Sequence, residues 1–426
     1  MQWNFGKLLT PSAEKNLQTA FAERSASLDV QLREQPSEVR YCKRCVVSNQ
    51  RPRIVFDGEG ICSACRFAEY KHHTIDWEAR ERELLSLLDK YRSKDSGYDC
   101  IVPASGGKDS SYVAHQLKTK YGMHPLTVTF APFIYTDIGF QNFYNFVQSG
   151  FDNLTCWPNG LIHRKLSRMS LDLLGDAWQP FAYGQLNYAF QLATKFNIRL
   201  VFFGENGEAE YGGSSGANDK PCFDWQDWDR VYLKGAMVDR MMQKGRELEI
   251  FTEREAQEVG PFYQLPPIDE LKAKDIQFHW MGYYHKWIPQ RNFYYAQEHT
   301  GFRTNPEGHS EGTYSKYASL DDRTDGFHYY LAYIKFGIGR ATSDAAHEVR
   351  DGHITRTEAV ALVKRYDGEF PKTYYTDFLA YLDITDDHFQ QVADSYRAPH
   401  LWDKSNEGWR LKHASWHETH LEGKDR

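Results

Sequence analysis

The stretch Asp99-Cys100-Ile101-Val102-Pro103-Ala104-Ser105-Gly106-Gly107-Lys108-Asp109-Ser110-Ser111-Tyr112 decides how the chain folds. Residues 100–104 read as a short buried strand, 105–107 as a turn and 110–121 as a helix. Two adjacent glycines permit backbone angles that turn successive N–H groups toward one anion, and the helix N-terminus adds partial positive charge. Gly-x-x-x-x-Gly-Lys-Ser/Thr is absent, because Lys108 precedes an aspartate rather than a hydroxyl residue. Working outward, strands are expected at 125–130, 153–157 and 199–203, and helices at 76–92, 161–174 and 181–196. Strands alternating with helices imply a parallel sheet covered on both faces, with ligands at the carboxyl ends of its strands.

The chain has 426 residues, 51 Lys+Arg against 58 Asp+Glu, a net charge of −7 and 15% aromatic residues. That length accommodates two or three domains. No apolar run approaches the roughly 20 residues that cross a bilayer, and residues 1–10 lack the basic region and apolar block of a signal peptide, so a cytoplasmic location is expected. Net acidity argues against broad nucleic-acid binding. The organisation reads as an extension (1–40), a cysteine lobe (41–75), an α/β domain (76–215), an aromatic-rich region (216–325), a helical region (326–397) and a tail (398–426). The aromatic-rich region carries 16 aromatic side chains in residues 223–302. Thr355 and Glu358 form a capping box, and Thr385 caps a later helix.

Four of the seven cysteines form two pairs, Cys42-Lys43-Arg44-Cys45 and Cys62-Ser63-Ala64-Cys65, with 16 residues between them. Two intervening residues let a tight turn aim both thiolates at one ion, and two such turns complete a tetrahedral site. Structural zinc is the expectation; an iron–sulfur cluster shares the ligand set, and two disulfides or unrelated free thiols are the remaining alternatives. At the end of the fourth expected strand, Gly204-Glu205-Asn206-Gly207-Glu208-Ala209-Glu210-Tyr211-Gly212-Gly213 places four glycines and three carboxylates on the ligand-binding edge. Lys335 and Arg340 stand in an otherwise apolar, aromatic stretch, where each meets either an ordinary acidic partner or a departing anion.

The loop at Ser105 to Ser110 resembles the SGGxDS motif of PP-loop ATP pyrophosphatases, which cleave ATP between the α and β phosphates. This resemblance implies an adenine nucleotide alpha-hydrolase-like domain in which Ser105, Gly106, Gly107, Lys108, Ser110 and Ser111 hold the ATP phosphates. It implies contact of Asp109 with Mg²⁺, and Thr129 and Phe130 beside the adenine. Adding the paired cysteines, Gly204-Glu205-Asn206, Glu210-Tyr211-Gly212-Gly213, Glu311-Gly312-Thr313-Tyr314, Tyr317 to Asp322, Tyr333 to Gly337, Gly339 to Thr342 and Tyr366-Asp367-Gly368, residues 41–393 resemble the N-acetyl sugar amidotransferases of bacterial O-antigen and nonulosonic acid pathways.

The family resemblance implies ATP-dependent conversion of the N-acetyl group of a nucleotide-activated sugar into an acetamidino group, through an imidoyl-adenylate, with release of AMP and pyrophosphate. Asp109, Glu205, Glu210, Lys335 and Arg340 are then the catalytic candidates, with either glutamate as the base. Asn206, Tyr211, Gly212, Gly213 and Tyr314 are candidates for substrate binding. Cys100, Cys156 and Cys222 lack the Gly-x-Cys-x-Gly elbow of a glutaminase and residue 2 is Gln2, so ammonia is expected from a partner resembling the glutaminase and cyclase subunits of histidine synthesis. Two rival readings use the same loop: a tRNA-modifying PP-loop enzyme, and a non-catalytic nucleotide-binding scaffold for a glutaminase. His413, His417 and His420 in the tail lack His-Glu-x-x-His spacing and read as a solvated helix face.

Overall fold

Five short strands pair in parallel: β1 (Cys100–Pro103), β2 (Pro125–Phe130), β3 (Asn153–Cys156), β4 (Leu200–Phe203) and β5 (Gln277–Trp280). Their spatial order is β3-β2-β1-β4-β5. The chain travels outward from β1 to β3, then returns to lay β4 against the other side of β1. The loops leaving β1 and β4 therefore diverge at one point of the sheet edge, where sheets of this kind open a ligand cleft. The computed structural model describes residues 5–23, 28–95, 97–213, 216, 218–222, 225, 228, 231, 233–406 and 408–417.

Side chains alternate across the sheet as the strand period requires. Ile101 and Val201 enter one core with Leu166, Met169 and Phe190, from the helices Gly160–Leu174 and Gln179–Phe196. Cys100, Val102, Leu200 and Phe202 enter the other with Leu84, Leu88 and Val113, from the helices Trp77–Tyr91 and Lys108–His115. The helix expected at 110–121 begins earlier, at Lys108, and widens into a π turn over Gln116–Lys120.

Three expected regions are redrawn. Residues 216–325 do not stand apart from the sheet: they supply β5, and Trp228, Leu233, Val238 and Met241 fill the first core. The strand Gln277-Phe278-His279-Trp280 escapes a reading of the sequence because it is four residues long and lacks Val, Ile and Thr. Residues 1–40 are not a separate extension either. Leu8, Leu9, Ala13 and Leu17 are buried in the first core, Pro11–Ala22 is a helix capped by Thr10, and Arg168 holds Glu14 at 2.6 Å. The tail forms a hairpin of Trp402–Ser405 against Gly408–Leu411, with Gly408, at φ +114°, paired to Ser405, followed by a single turn at Ser415–His417. His413 and His417 are exposed there, in place of the expected helix face, and His420 lies outside the described residues.

The segment 326–397 is helical, with helices at Arg340–Arg350, Arg356–Tyr366, Tyr375–Leu382 and Asp386–Ser395 after Asp325–Phe336. The capping box is present: Glu358 N–H donates to Thr355 Oγ1 at 3.2 Å, and Thr355 N–H to Glu358 Oε2 at 2.8 Å. Among the described residues no helix is long and apolar enough to cross a membrane.

Candidate active site

The turn after β1 is held by a backbone close approach. Gly106 has φ +85°, and a Cβ there would lie 2.6 Å from the backbone of Phe143 in the helix Asp137–Gln148. Only glycine meets both conditions. Gly107 precedes the helix at Lys108, and among the described residues no side chain caps its first turn, which leaves the terminal N–H groups available to an anion. Ser105 Oγ donates to Asp321 Oδ2 at 3.0 Å, and Ser110 Oγ to the Gly107 carbonyl at 3.2 Å. Ser111 is turned into the core beneath the loop, where its Oγ has no hydrogen-bond partner among the described residues.

Beside this turn lies a cleft of about 460 Å³ with a mixed polar and aromatic lining. Its lining combines Ser105, Gly107, Lys108, Ser110 and Arg340 with Phe130, Phe181, Leu186, Tyr188 and Trp280. Thr129 also lines it, and its hydroxyl donates to the Ala104 carbonyl across β1 and β2. A second cleft of about 220 Å³ shares Lys108, Asp109, Glu205, Tyr317 and Arg340 with the first, so the two meet at those five residues. Its remaining wall includes Arg51, Tyr211, Tyr329, Asp344 and Glu348.

The two candidate bases separate completely. Glu205 lies at the junction of the clefts, and burial, reinforced by the charge of Asp109, pushes its pKa up to about 7. Glu210 lines neither. Its Oε2 accepts from Lys71 Nζ at 2.9 Å and lies 3.3 Å from His347 Nε2. Burial raises its pKa, but Lys71 and His347 outweigh that and hold it at about 2. Glu210 is thus a permanently charged strut. Asp109 sits at the junction with Oδ1 accepting from Asn292 Nδ2 at 3.3 Å and Oδ2 paired to Lys108.

Lys335 and Arg340 also divide. Lys335 points away from both clefts, into a buried pocket where Nζ lies 3.4 Å from Asp29 and donates to the Leu174 carbonyl at 3.1 Å. It takes the ordinary acidic partner because its helix turns that side toward the first forty residues. Arg340 lines both clefts, braced by Asp344 at 3.1 Å and by the Tyr329 hydroxyl. Asn206 caps the short helix Gly207–Glu210, and Tyr211 lines the second cleft. Gly212 packs on Ala64 of the cysteine lobe and Gly213 against Glu208, while Tyr314 packs into the core shared with that lobe. None of these last three lines a cleft.

Residues 311–415 match the family described as LPS biosynthesis protein WbpG-like, C-terminal domain. This WbpG-like segment supplies Tyr317, Tyr329, Arg340, Asp344 and Glu348 to the walls of the clefts. An uncharacterized protein of Methanocaldococcus jannaschii is 30% identical over 88 residues, 20% of this chain, and the chain covers 31% of that protein's length.

Several wall residues have a sequence signature that only its partners make meaningful. Arg340, Asp344 and Glu348 follow the four-residue helical spacing, as do His347 and Asp351. Lys71 falls on the buried face of the helix Ser63–His73 with Ala64, Phe67 and Ala68, where a lone lysine calls for a carboxylate. It finds two, Glu210 and Asp351, the latter at 3.1 Å. That helix begins at the second cysteine pair, so the cysteine lobe is bolted to the back of the second cleft.

The four cysteines are free thiols, fully buried, with all four sulfurs within 4.8 Å of one another. Sγ separations of 3.9 Å (Cys42 to Cys65) and 3.7 Å (Cys45 to Cys62) match the edge of about 3.8 Å expected for four sulfurs at 2.3 Å from one ion. Backbone N–H groups of Arg44 and Cys62 donate to the Cys42 sulfur, at 3.4 and 3.3 Å, which favours its thiolate. The donor set fits a single metal ion such as zinc, closed to substrate.

Proposed function

We propose that the chain is an ATP-dependent amidotransferase that converts the N-acetyl group of a sugar used in LPS biosynthesis into an acetamidino group. The observation that carries this reading is the pair of clefts meeting at Lys108, Asp109, Glu205, Tyr317 and Arg340. The first is lined by both cations and aromatic rings, as suits a nucleotide, and a carboxyl whose pKa is near neutrality stands where the two meet. The match of residues 311–415 to a WbpG-like LPS biosynthesis domain supports a sugar acceptor.

In this proposal the adenine lies against Phe130, Phe181 and Trp280, and the phosphates lie on the turn from Ser105 to Ser110 with Lys108 and Arg340. Asp109 would hold Mg²⁺, which offsets the phosphate charge. The acetamide oxygen attacks the α-phosphate, pyrophosphate leaves, and ammonia then replaces AMP at the activated carbon. The first step needs positioning and charge compensation rather than a side-chain nucleophile. Glu205 takes the proton released at nitrogen, since its raised pKa matches that task at neutral pH. Ammonia comes from a partner glutaminase: Cys100, Cys156 and Cys222 all lack a Gly-x-Cys-x-Gly elbow, and burial raises the thiols of the first two, Cys156 to about 12, away from a thiolate nucleophile. Zinc on the four cysteines is structural.

The test is a reaction with ATP, Mg²⁺, ammonium and a panel of nucleotide-activated N-acetyl sugars, followed by mass spectrometry. The expected product is lighter by the difference between O and NH, formed one-for-one with AMP and pyrophosphate. Pyrophosphate release that requires tRNA and ignores every sugar would overturn the reading.

A further inference from the structure

The turn between the cysteine pairs carries two arginines, Arg51 and Arg53, beside one carboxylate, Glu208. Arg53 takes it in a two-point pair, Nε to Oε2 at 2.9 Å and Nη2 to Oε1 at 2.6 Å. Arg51 is left without an ion pair or side-chain hydrogen bond among the described residues. Its guanidinium carbon lies 5.1 Å from the centroid of the Tyr211 ring, and both residues line the second cleft. Burial lowers its pKa to about 10, so it remains charged at neutral pH.

The other charges of that cleft are matched or weakened. Arg340 is braced by Asp344, Lys108 by Asp109, and Asp351 by Lys71 and His72. Glu205 and Glu348 are each pushed up to about 7, chiefly by burial, and so are only partly ionised at neutral pH. A half-buried guanidinium beside an aromatic ring, lining a cavity and without a carboxylate partner among the described residues, is a receptor for a carboxylate or a phosphate. Arg51 lines the second cleft and not the first, which sets it apart from Lys108 and Arg340, the cations at the junction of the two.

We propose that Arg51, supplied by the cysteine lobe, anchors an anionic group of the acceptor in the second cleft. That the anion belongs to the acceptor rests on the function proposed above; the anion site itself does not. A diphosphate on a nucleotide-activated sugar and the carboxylate of a sugar acid share the required chemistry. The site also gives the lobe a direct part in recognition, with the four-sulfur centre fixing the turn that carries Arg51.

Isothermal titration of the full-length, metal-loaded chain, saturated with an α,β-methylene ATP analogue, tests this without turnover. The probes are UDP-N-acetylglucosamine, N-acetylneuraminic acid and the neutral methyl glycoside of N-acetylglucosamine. Wild type is expected to bind one anionic probe at least about 10-fold more tightly than the neutral one, and Arg51→Gln to erase that advantage while leaving analogue affinity and metal content unchanged. The probe that loses affinity identifies the source, diphosphate or carboxylate. Should Arg51→Gln fail to fold, Arg51→Met, which keeps the stem over Tyr211, reads the same difference. Anionic probes that bind wild type no better than the variant overturn the proposal. Binding that depends on Arg51 in a chain making no acetamidino product refutes the reaction instead.

Discussion

The cysteine lobe draws its four ligands from Cys42 to Cys65, two tight turns on one short piece of chain. The clefts beside it draw on Arg51, Lys108, Asp109, Glu205, Tyr317 and Arg340, residues that meet only because β4 returns to the side of β1 and the C-terminal helices close over both. The lobe is a local object with all its donors aimed inward. The clefts are a distributed object whose properties depend on which charges end up as neighbours. The difference teaches where a substitution acts: in the lobe one change removes a whole unit, whereas in the clefts it changes one group's chemistry.

The largest effect is therefore expected in the lobe. Cys65→Ser should abolish metal binding, measured by elemental analysis, and lower the melting temperature sharply, because structural sites of this kind are worth about 10 kcal/mol or more. The helix Ser63–His73 carries Lys71, so nucleotide-independent loosening of the second cleft should follow. A metal-free variant with unchanged melting would break the contrast between the two regions. Gly106→Ala ranks next. It forces a left-handed alanine against the Phe143 backbone and should cost about 2–4 kcal/mol in denaturant unfolding, together with nucleotide affinity. An alanine variant of full stability would show that the turn relaxes more readily than its close approach implies.

The smallest structural effect, and the sharpest chemical one, belongs to Glu205→Gln. With its pKa raised to about 7, Glu205 is protonated and unable to accept a proton as pH falls below 7, so the wild-type rate should decline on the acid side. The variant should lose about 10²–10⁴ in rate and lose that acid limb, with melting unchanged. Retention of the acid limb would transfer the role to another group with a similarly raised pKa, Glu348 being present in the same cleft.

Much of the sheet was legible because its signals are short-range. Residues 125–130 read as a strand and form one, and the Gly-Gly turn before Lys108 sits where the nest argument places it. β5 was not legible, since Gln277 to Trp280 is only four residues long, without Val, Ile or Thr, inside a stretch aromatic throughout, and it is fixed by pairing with β4. The first forty residues read as a polar extension with loosely helical apolar spacing at Leu17, Phe21, Leu28 and Leu32, and a helix forms at Pro11–Ala22; that Leu8, Leu9 and Leu17 complete the core of a sheet nearly a hundred residues away was not legible.

The sequence by itself determined the spacing of the cysteine tetrad, the strand-turn-helix at Ser105 and the strands β1 to β4. Each is a matter of spacing and backbone geometry within a few residues, which no distant part of the chain needs to supply. Only the tertiary structure decided between Glu205 and Glu210, and between Arg340 and Lys335. Their neighbours, Asp109, Lys71, Asp344 and Asp29, come from remote segments, and the charge state of a buried group follows from what lies within a few ångströms of it rather than from the residues beside it in the chain.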